Sequence, residues 1–199
     1  CAEFVRDSWS RDEPPGRKRG PFASGQYSDD TQLARELGLS LIERRAWEPA
    51  DFAARLAKLF RDETIVGRGR ATQNAADRLI AGVSWDNAGE PAPRAGNGAA
   101  MRVAPVGLLF EDPNDRLRVA EEQSRVTHLD PRSRAAAILV ADVVALALVG
   151  EAPGRSDLIE WLAFRVESLD PALALGVRTL PRWLNESETL ASEERSEEH

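Results

Sequence analysis

Two adjacent carboxylates flanked by hydroxyls stand at Ser28-Asp29-Asp30-Thr31. Hard oxygen donors packed into one turn suit a small divalent cation such as Mg²⁺. If the turn is helical, Asp29 and Asp30 point about 100° apart and could serve two ions. The same four residues also open a helix well, since Ser28 can cap free amides and the acids favour the positive end of the macrodipole. A second constellation is Gly96-Asn97-Gly98. Asn-Gly readily makes a tight turn, but a glycine-bracketed loop entering a helix also exposes amides that can hold phosphate. The third is His128, in Thr127-His128-Leu129-Asp130-Pro131. A loop histidine there is either structural or free to reach a ligand.

Helices must position these groups, because apolar residues recur at helical spacing nearly throughout. A Pro/Gly-rich loop over residues 11–26 leads to a helix beginning near Ser28, with Leu33, Leu37 and Leu41 on its stripe and Ala34 and Ile42 widening it. Pro49 opens a second helix through Phe60, and a third covers about 71–81 with Ala75, Leu79 and Ile80 inward. Residues 82–98 form a loop. An apolar helix kinked by Pro105 then ends near Phe110, and an amphipathic one spans 117–126. Pro131 starts an alanine-rich run to Leu148 that reads as a buried helix, and 157–166 and 171–183 read as two more. The five tryptophans read as core or half-buried packing. The fold class is all-α, a single domain with function in the connecting loops.

Composition narrows the function further. The 199 residues carry a net charge of -7, which makes a sequence-independent nucleic-acid binder a poor reading. Cys1 is the only cysteine, so no internal disulfide or cysteine metal cage forms, in keeping with a cytoplasmic protein. The longest apolar stretch is too short to span a bilayer and contains Asp142. Walker, Gly-x-Ser-x-Gly and His-Glu-x-x-His motifs are all missing.

Taken in order, Tyr27-Ser28-Asp29-Asp30-Thr31-Gln32, Gly67-Arg68-Gly69, the string from Gly96 through Met101-Arg102 to Pro105, and Thr127-His128 resemble the ADP-ribosyl glycohydrolase family over about residues 1–150. The resemblance implies an orthogonally packed all-α fold and hydrolysis of an ADP-ribosyl glycosidic bond. It also implies two Mg²⁺ ions, with Mn²⁺ equally compatible with oxygen ligands. Carried over by position, it makes Ser28, Asp29 and Asp30 metal ligands and Glu3 the catalytic carboxylate. Gly96, Asn97 and Gly98 would wrap the diphosphate and ribose, and His128 would lie along the adenosine. Gly67 and Gly69 would form a glycine turn at the cleft rim. The partner would be an ADP-ribosylated protein or an ADP-ribose-containing small molecule. Two departures stand out: the chain begins after the family's upstream Gly-Asp pair, and it contains no Asp-x-Asp. The late Asp-x-Asp-Thr string that completes the family's metal site is therefore missing, and the expectation is a domain truncated at both ends. A non-catalytic ADP-ribose binder and a degenerate helical interaction domain are the alternative readings.

Overall fold

The computed structural model describes residues 27–149 and 154–180. Its architecture is helical, and among the described residues the β-like pairing is a single parallel bridge between Glu90 and His128. Helix α1 (Asp29–Arg44) buries Leu33, Leu37 and Leu41 along one stripe, and α2 (Pro49–Arg61) buries Phe52, Leu56 and Phe60. Helix α3 (Arg70–Ile80) packs on α2 and buries Ala75 and Ala76. The stripes are narrower than the sequence implies. Ile42 is 62% exposed and Ile80 is 42% exposed, because each lies about 100° around its helix from the residue before it.

The segment from 81 to 96 runs without a helix to a short 3₁₀ turn, Asn97–Ala99. Helix α4 (Ala104–Leu109) follows, and Pro105 begins it rather than kinking it. Proline is tolerated in a first turn because its missing N–H would have had no intrahelical acceptor there. Helix α5 (Pro113–Arg125) starts earlier than its apolar stripe suggests. The Asp112 carboxylate accepts from the amides of Asn114 and Asp115, both at 2.9 Å, and so sets the start.

Helix α6 (Pro131–Val149) is the hub, touching the 3₁₀ turn, α4, α5 and α7 (Arg155–Glu167). Its crossing with α4 depends on Gly107, where a β-carbon would lie 2.5 Å from the Ala141 carbonyl oxygen. Asp142 is fully buried and accepts from Arg116 Nε at 2.7 Å and Arg165 Nε at 2.8 Å, pinning α5 and α7 to α6. Helix α6 is not buried all round: Val140, Val143 and Leu148 are exposed. Residues 171–180 form α8, capped by Asp170 through the amides of Ala172 and Leu173. Trp47, Trp85 and Trp161 are half-buried against the core, while Trp9 and Trp183 lie outside the described residues. Among the described residues no helix is long and apolar enough to cross a membrane.

Candidate functional site

The three constellations met in the sequence converge. Asp29, Gly69, Gly96, Asn97, Gly98 and His128 line one cleft of about 210 Å³, together with Arg70, Ala71, Thr72 and Met101. A larger groove of about 460 Å³ beside Leu108, Phe110 and Trp161 shares none of these residues. The cleft, not the groove, gathers the residues singled out by type and order in the sequence.

The acidic corner is built at the start of α1. The Asp29 amide donates to the Val66 carbonyl at 2.7 Å. Gln32 reaches the same turn, donating to the Thr64 carbonyl and accepting from the Val66 amide, both at 2.8 Å. Gly67 takes a positive φ of 79°, and a β-carbon there would sit 3.4 Å from Asp29 Oδ1. So Gly67 backs the carboxylate, while Gly69 caps α3 on the cleft wall. The Ser28 hydroxyl does not cap the helix; it donates to Asp30 Oδ2 at 2.9 Å.

Burial, followed by the neighbouring charge of Asp30, raises the pKa of Asp29 above the ordinary carboxylate range. A buried carboxylate beside a second one is poorly solvated and would gain from a cation. The donor set of one hydroxyl and two carboxylates fits a hard divalent ion in type. In number it falls short, since among the described residues no three His, Cys, Asp or Glu side chains gather as a metal cluster. Glu3 lies outside the described residues.

The opposite wall is built around His128, which is 2% exposed. The peptide bridge to Glu90 braces it: the Glu90 amide donates to the Thr127 carbonyl at 2.9 Å, and the Leu129 amide to the Glu90 carbonyl at 2.8 Å. Thr127 Oγ1 lies 2.8 Å from His128 Nδ1. Burial, and then the positive charge of Arg102, lowers the His128 pKa to about 4, so the ring is neutral at physiological pH.

Its imidazole lies flush against the glycine loop. A β-carbon on Gly96 would meet Nε2 at 2.9 Å, and one on Gly98 would meet Cε1 at 2.8 Å. Ser133 locks the loop's entrance, its hydroxyl accepting from the Gly96 amide at 3.0 Å and donating to the Gly96 carbonyl at 2.9 Å. The Gly96–Gly98 segment is therefore a 3₁₀ entry moulded on a histidine, not a hairpin-type turn.

Sequence reasoning left several residues of this neighbourhood without a role: Arg70, Thr72, Met101, Arg102 and Ser133. Met101 and Arg102 belong to the string following the glycine loop, which was signal enough to question them. Nothing local to the sequence marks Thr72 or Ser133, which become neighbours of the loop only through the packing of α3 and α6.

Comparison with known proteins bears on what such a cleft belongs to. The family profile described as ADP-ribosylglycohydrolase matches residues 2–198. The chain belongs to the ADP-ribosylglycohydrolase family. The ADP-ribosylhydrolase ARH3 of Gallus gallus is 34% identical, over 85% of this chain and 51% of the relative. The ADP-ribosylarginine hydrolase Tri1 of Pseudomonas putida is 32% identical, over 76% of this chain and 42% of its own. A solved structure, titled ADP-ribosylglycohydrolase-related protein complex, superposes with a TM-score of 0.65 at 32% identity. That match covers 85% of this chain and 56% of the other. This ADP-ribosylglycohydrolase chain spans about half the length of the curated relatives it matches.

Proposed function

We propose that this protein hydrolyses an ADP-ribosyl glycosidic bond in a Mg²⁺-dependent reaction, releasing ADP-ribose from a modified protein or small molecule. The observation that carries the reading is the shared cleft of Asp29, Gly96, Asn97, Gly98 and His128. An acidic, oxygen-rich corner faces a glycine-lined, uncharged wall. That asymmetry suits a ligand with a diol at one end and a diphosphate in the middle.

Ser28, Asp29 and Asp30 would hold the ion, Mg²⁺ or Mn²⁺, which when bound supplies positive charge for orienting hydroxyls and lowering the pKa of water. The chain's own residues do the rest. The glycine loop lets the backbone lie directly on the His128 ring, where a side chain at Gly96 or Gly98 would meet the imidazole. The first amides of the 3₁₀ turn, at Asn97 and Gly98, have no acceptor within the turn and would be the ones to meet phosphate oxygens. Neutral His128 adds no charge to compete with the acidic corner, and its buried ring backs the glycine loop. Glu3 would take the proton from the attacking water as the bond from the anomeric carbon to the leaving group breaks. Glu3 would then pass that proton to the leaving group, and ADP-ribose would be freed.

A second reading, a non-catalytic ADP-ribose binder, rests on the two carboxylates at the acidic corner being fewer than a metal cluster needs among the described residues. One experiment separates the two. Thermal unfolding is followed with ADP-ribose, with and without Mg²⁺, alongside hydrolysis of an ADP-ribosylated arginine or serine peptide. A ligand at a hundredfold excess over its Kd stabilises the folded state by about 2.7 kcal/mol. A shift that needs Mg²⁺, with peptide turnover, is the expected result. A shift indifferent to EDTA with no turnover selects the binder, and no shift with any ligand overturns both.

A further inference from the structure

Behind the glycine loop lies a positive charge that no acid balances among the described residues. Arg102 is fully buried, yet among the described residues its guanidinium meets only neutral acceptors. Nε donates to Gln123 Oε1 at 2.8 Å, Nη2 to the Gln123 carbonyl at 2.7 Å, and Nη1 to the Gly98 carbonyl at 3.0 Å. The remaining surroundings include the ring of Phe52, whose centroid lies 5.2 Å from the guanidinium carbon. Burying a cation is expensive, and chains ordinarily offset it with a carboxylate. Among the described residues none is recruited here, although Glu90 and Asp130 both lie close enough to act on the neighbouring His128. Glu90 is instead engaged by Asn74, Arg78 and Arg94, and Asp130 by Arg132.

Two consequences follow from the geometry. First, in a trans peptide the carbonyl and the amide of one unit point in opposite directions. Holding the Gly98 carbonyl inward on Arg102 therefore turns the Ala99 amide away from the guanidinium. Second, an unscreened charge in a low-dielectric interior projects its field through the loop, with little counter-ion to damp it. We infer that Arg102 is a positioning residue that fixes the Gly96–Gly98 loop by its Gly98 bond and makes the loop selective for an anionic, diphosphate-bearing ligand. The inference rests on the ADP-ribose reading of the cleft. Arg102 is not itself within the cleft lining, so it acts through the loop and through its charge rather than by touching ligand.

The test uses the full chain and two ligands sharing a nucleoside, ADP-ribose and uncharged adenosine. Gln123→Glu places a carboxylate against the guanidinium, which neutralises the charge while Arg102 stays bonded to Gly98. It also gives up the Gln123 Nε2 bonds to the Ala99 and Ala120 carbonyls. Gln123→Met, which loses those bonds without adding a charge, is therefore measured beside it as the reference. Against that reference, Gln123→Glu is expected to weaken ADP-ribose binding on the order of tenfold and leave adenosine binding within about twofold. The His128 ring should also titrate at higher pH in that variant, read by nitrogen NMR. Arg102→Met removes the charge and the Gly98 bond together, and should lose more ADP-ribose affinity than Gln123→Glu. Arg102→Lys keeps the charge and should fall between Arg102→Met and the unmodified chain. If Arg102→Met does not fold, Gln123→Glu alone decides. Equal loss for both ligands would reduce Arg102 to a structural prop and overturn the inference, as would ADP-ribose binding no weaker in Gln123→Glu than in Gln123→Met. Failure of the unmodified protein to bind ADP-ribose is a different result, which removes the reading of the cleft and the inference with it.

Discussion

His128 Cε1 lies 2.8 Å from the point that a β-carbon on Gly98 would occupy, and Thr72 Oγ1 lies 3.1 Å from the same point. The histidine, the glycine loop and the first turn of α3 are therefore one packed unit. None can change size without moving the others.

Gly98→Ala tests that unit directly. The added methyl must displace a buried ring, and overpacking of this kind typically costs about 1–3 kcal/mol. We expect a loss of stability in that range with at least tenfold weaker ADP-ribose binding, measured by urea unfolding and calorimetry. Gly69→Ala meets nothing within 4 Å and should leave stability nearly unchanged. Equal stability losses in the two variants would refute the packing argument.

His128 also sets a pH dependence. In the unfolded chain it titrates near 6.5, and in the folded protein near 4. The folded state thus binds fewer protons between those values. Stability from this group is fully present above pH 6.5, falls as pH drops toward 4, and then levels off. At about 1.4 kcal/mol per unit the loss is on the order of 3 kcal/mol. Asp51, held down to about 2 by its bonds to Arg44 and Arg55 against the opposing effect of burial, contributes stability that is lost in a separate window, from about 3.8 downward. Urea unfolding at pH 7, 5.5 and 4 should show the first slope in the unmodified chain and not in His128→Gln. The same slope in both would assign it elsewhere.

The helices were legible in the sequence wherever a stripe met a clear start signal. Leu33-Leu37-Leu41 and Pro49 placed α1 and α2 correctly because one face alone carries their apolar residues. Elsewhere the signal misled for physical reasons. Pro105 looks like a kink only if helix is assumed before it, and Ile42 looks buried only if the stripe is taken as wider than the neighbour covering it. The cleft was legible in part. Asp29, the glycine loop and His128 announced themselves by residue type and order. Ser133 did not, since its bond to Gly96, 37 residues away, exists only once α6 packs on the loop. Arg102 stood in the string after the glycine loop, yet its bond to the Gln123 carbonyl, 21 residues away, is likewise made by packing. The apolar run of α6 concealed a polar pin, because Asp142 reads as an interruption until Arg116 and Arg165 are seen around it.

That pin yields a stability prediction. Asp142→Ala leaves two arginines at a buried position without their shared acceptor, and breaking such a buried pair typically costs about 3–5 kcal/mol. Guanidinium unfolding should show a drop of that size, larger than for Glu43→Ala, whose bond to Arg55 is exposed. A loss below 1 kcal/mol would mean that the arginines find water readily and that the pin is not buried in solution.

Asp29 should behave in the opposite sense to an ordinary core residue. Its raised pKa means that the charged form is disfavoured by folding, first by burial and then by Asp30. At neutral pH the carboxylate therefore opposes folding, and the effect is relieved as acid protonates it. Asn has nearly the same shape and no charge, so Asp29→Asn should melt higher than the unmodified chain when no divalent ion is present. Adding Mg²⁺ should reverse the order, because the unmodified carboxylate gains a cation and the amide does not. Melting curves with EDTA and then with excess Mg²⁺ make the comparison. A crossing of the two proteins would show Asp29 to be kept for a ligand at the expense of stability. If Asp29→Asn melts lower under both conditions, the carboxylate serves the fold, and the acidic corner loses its standing as a metal site.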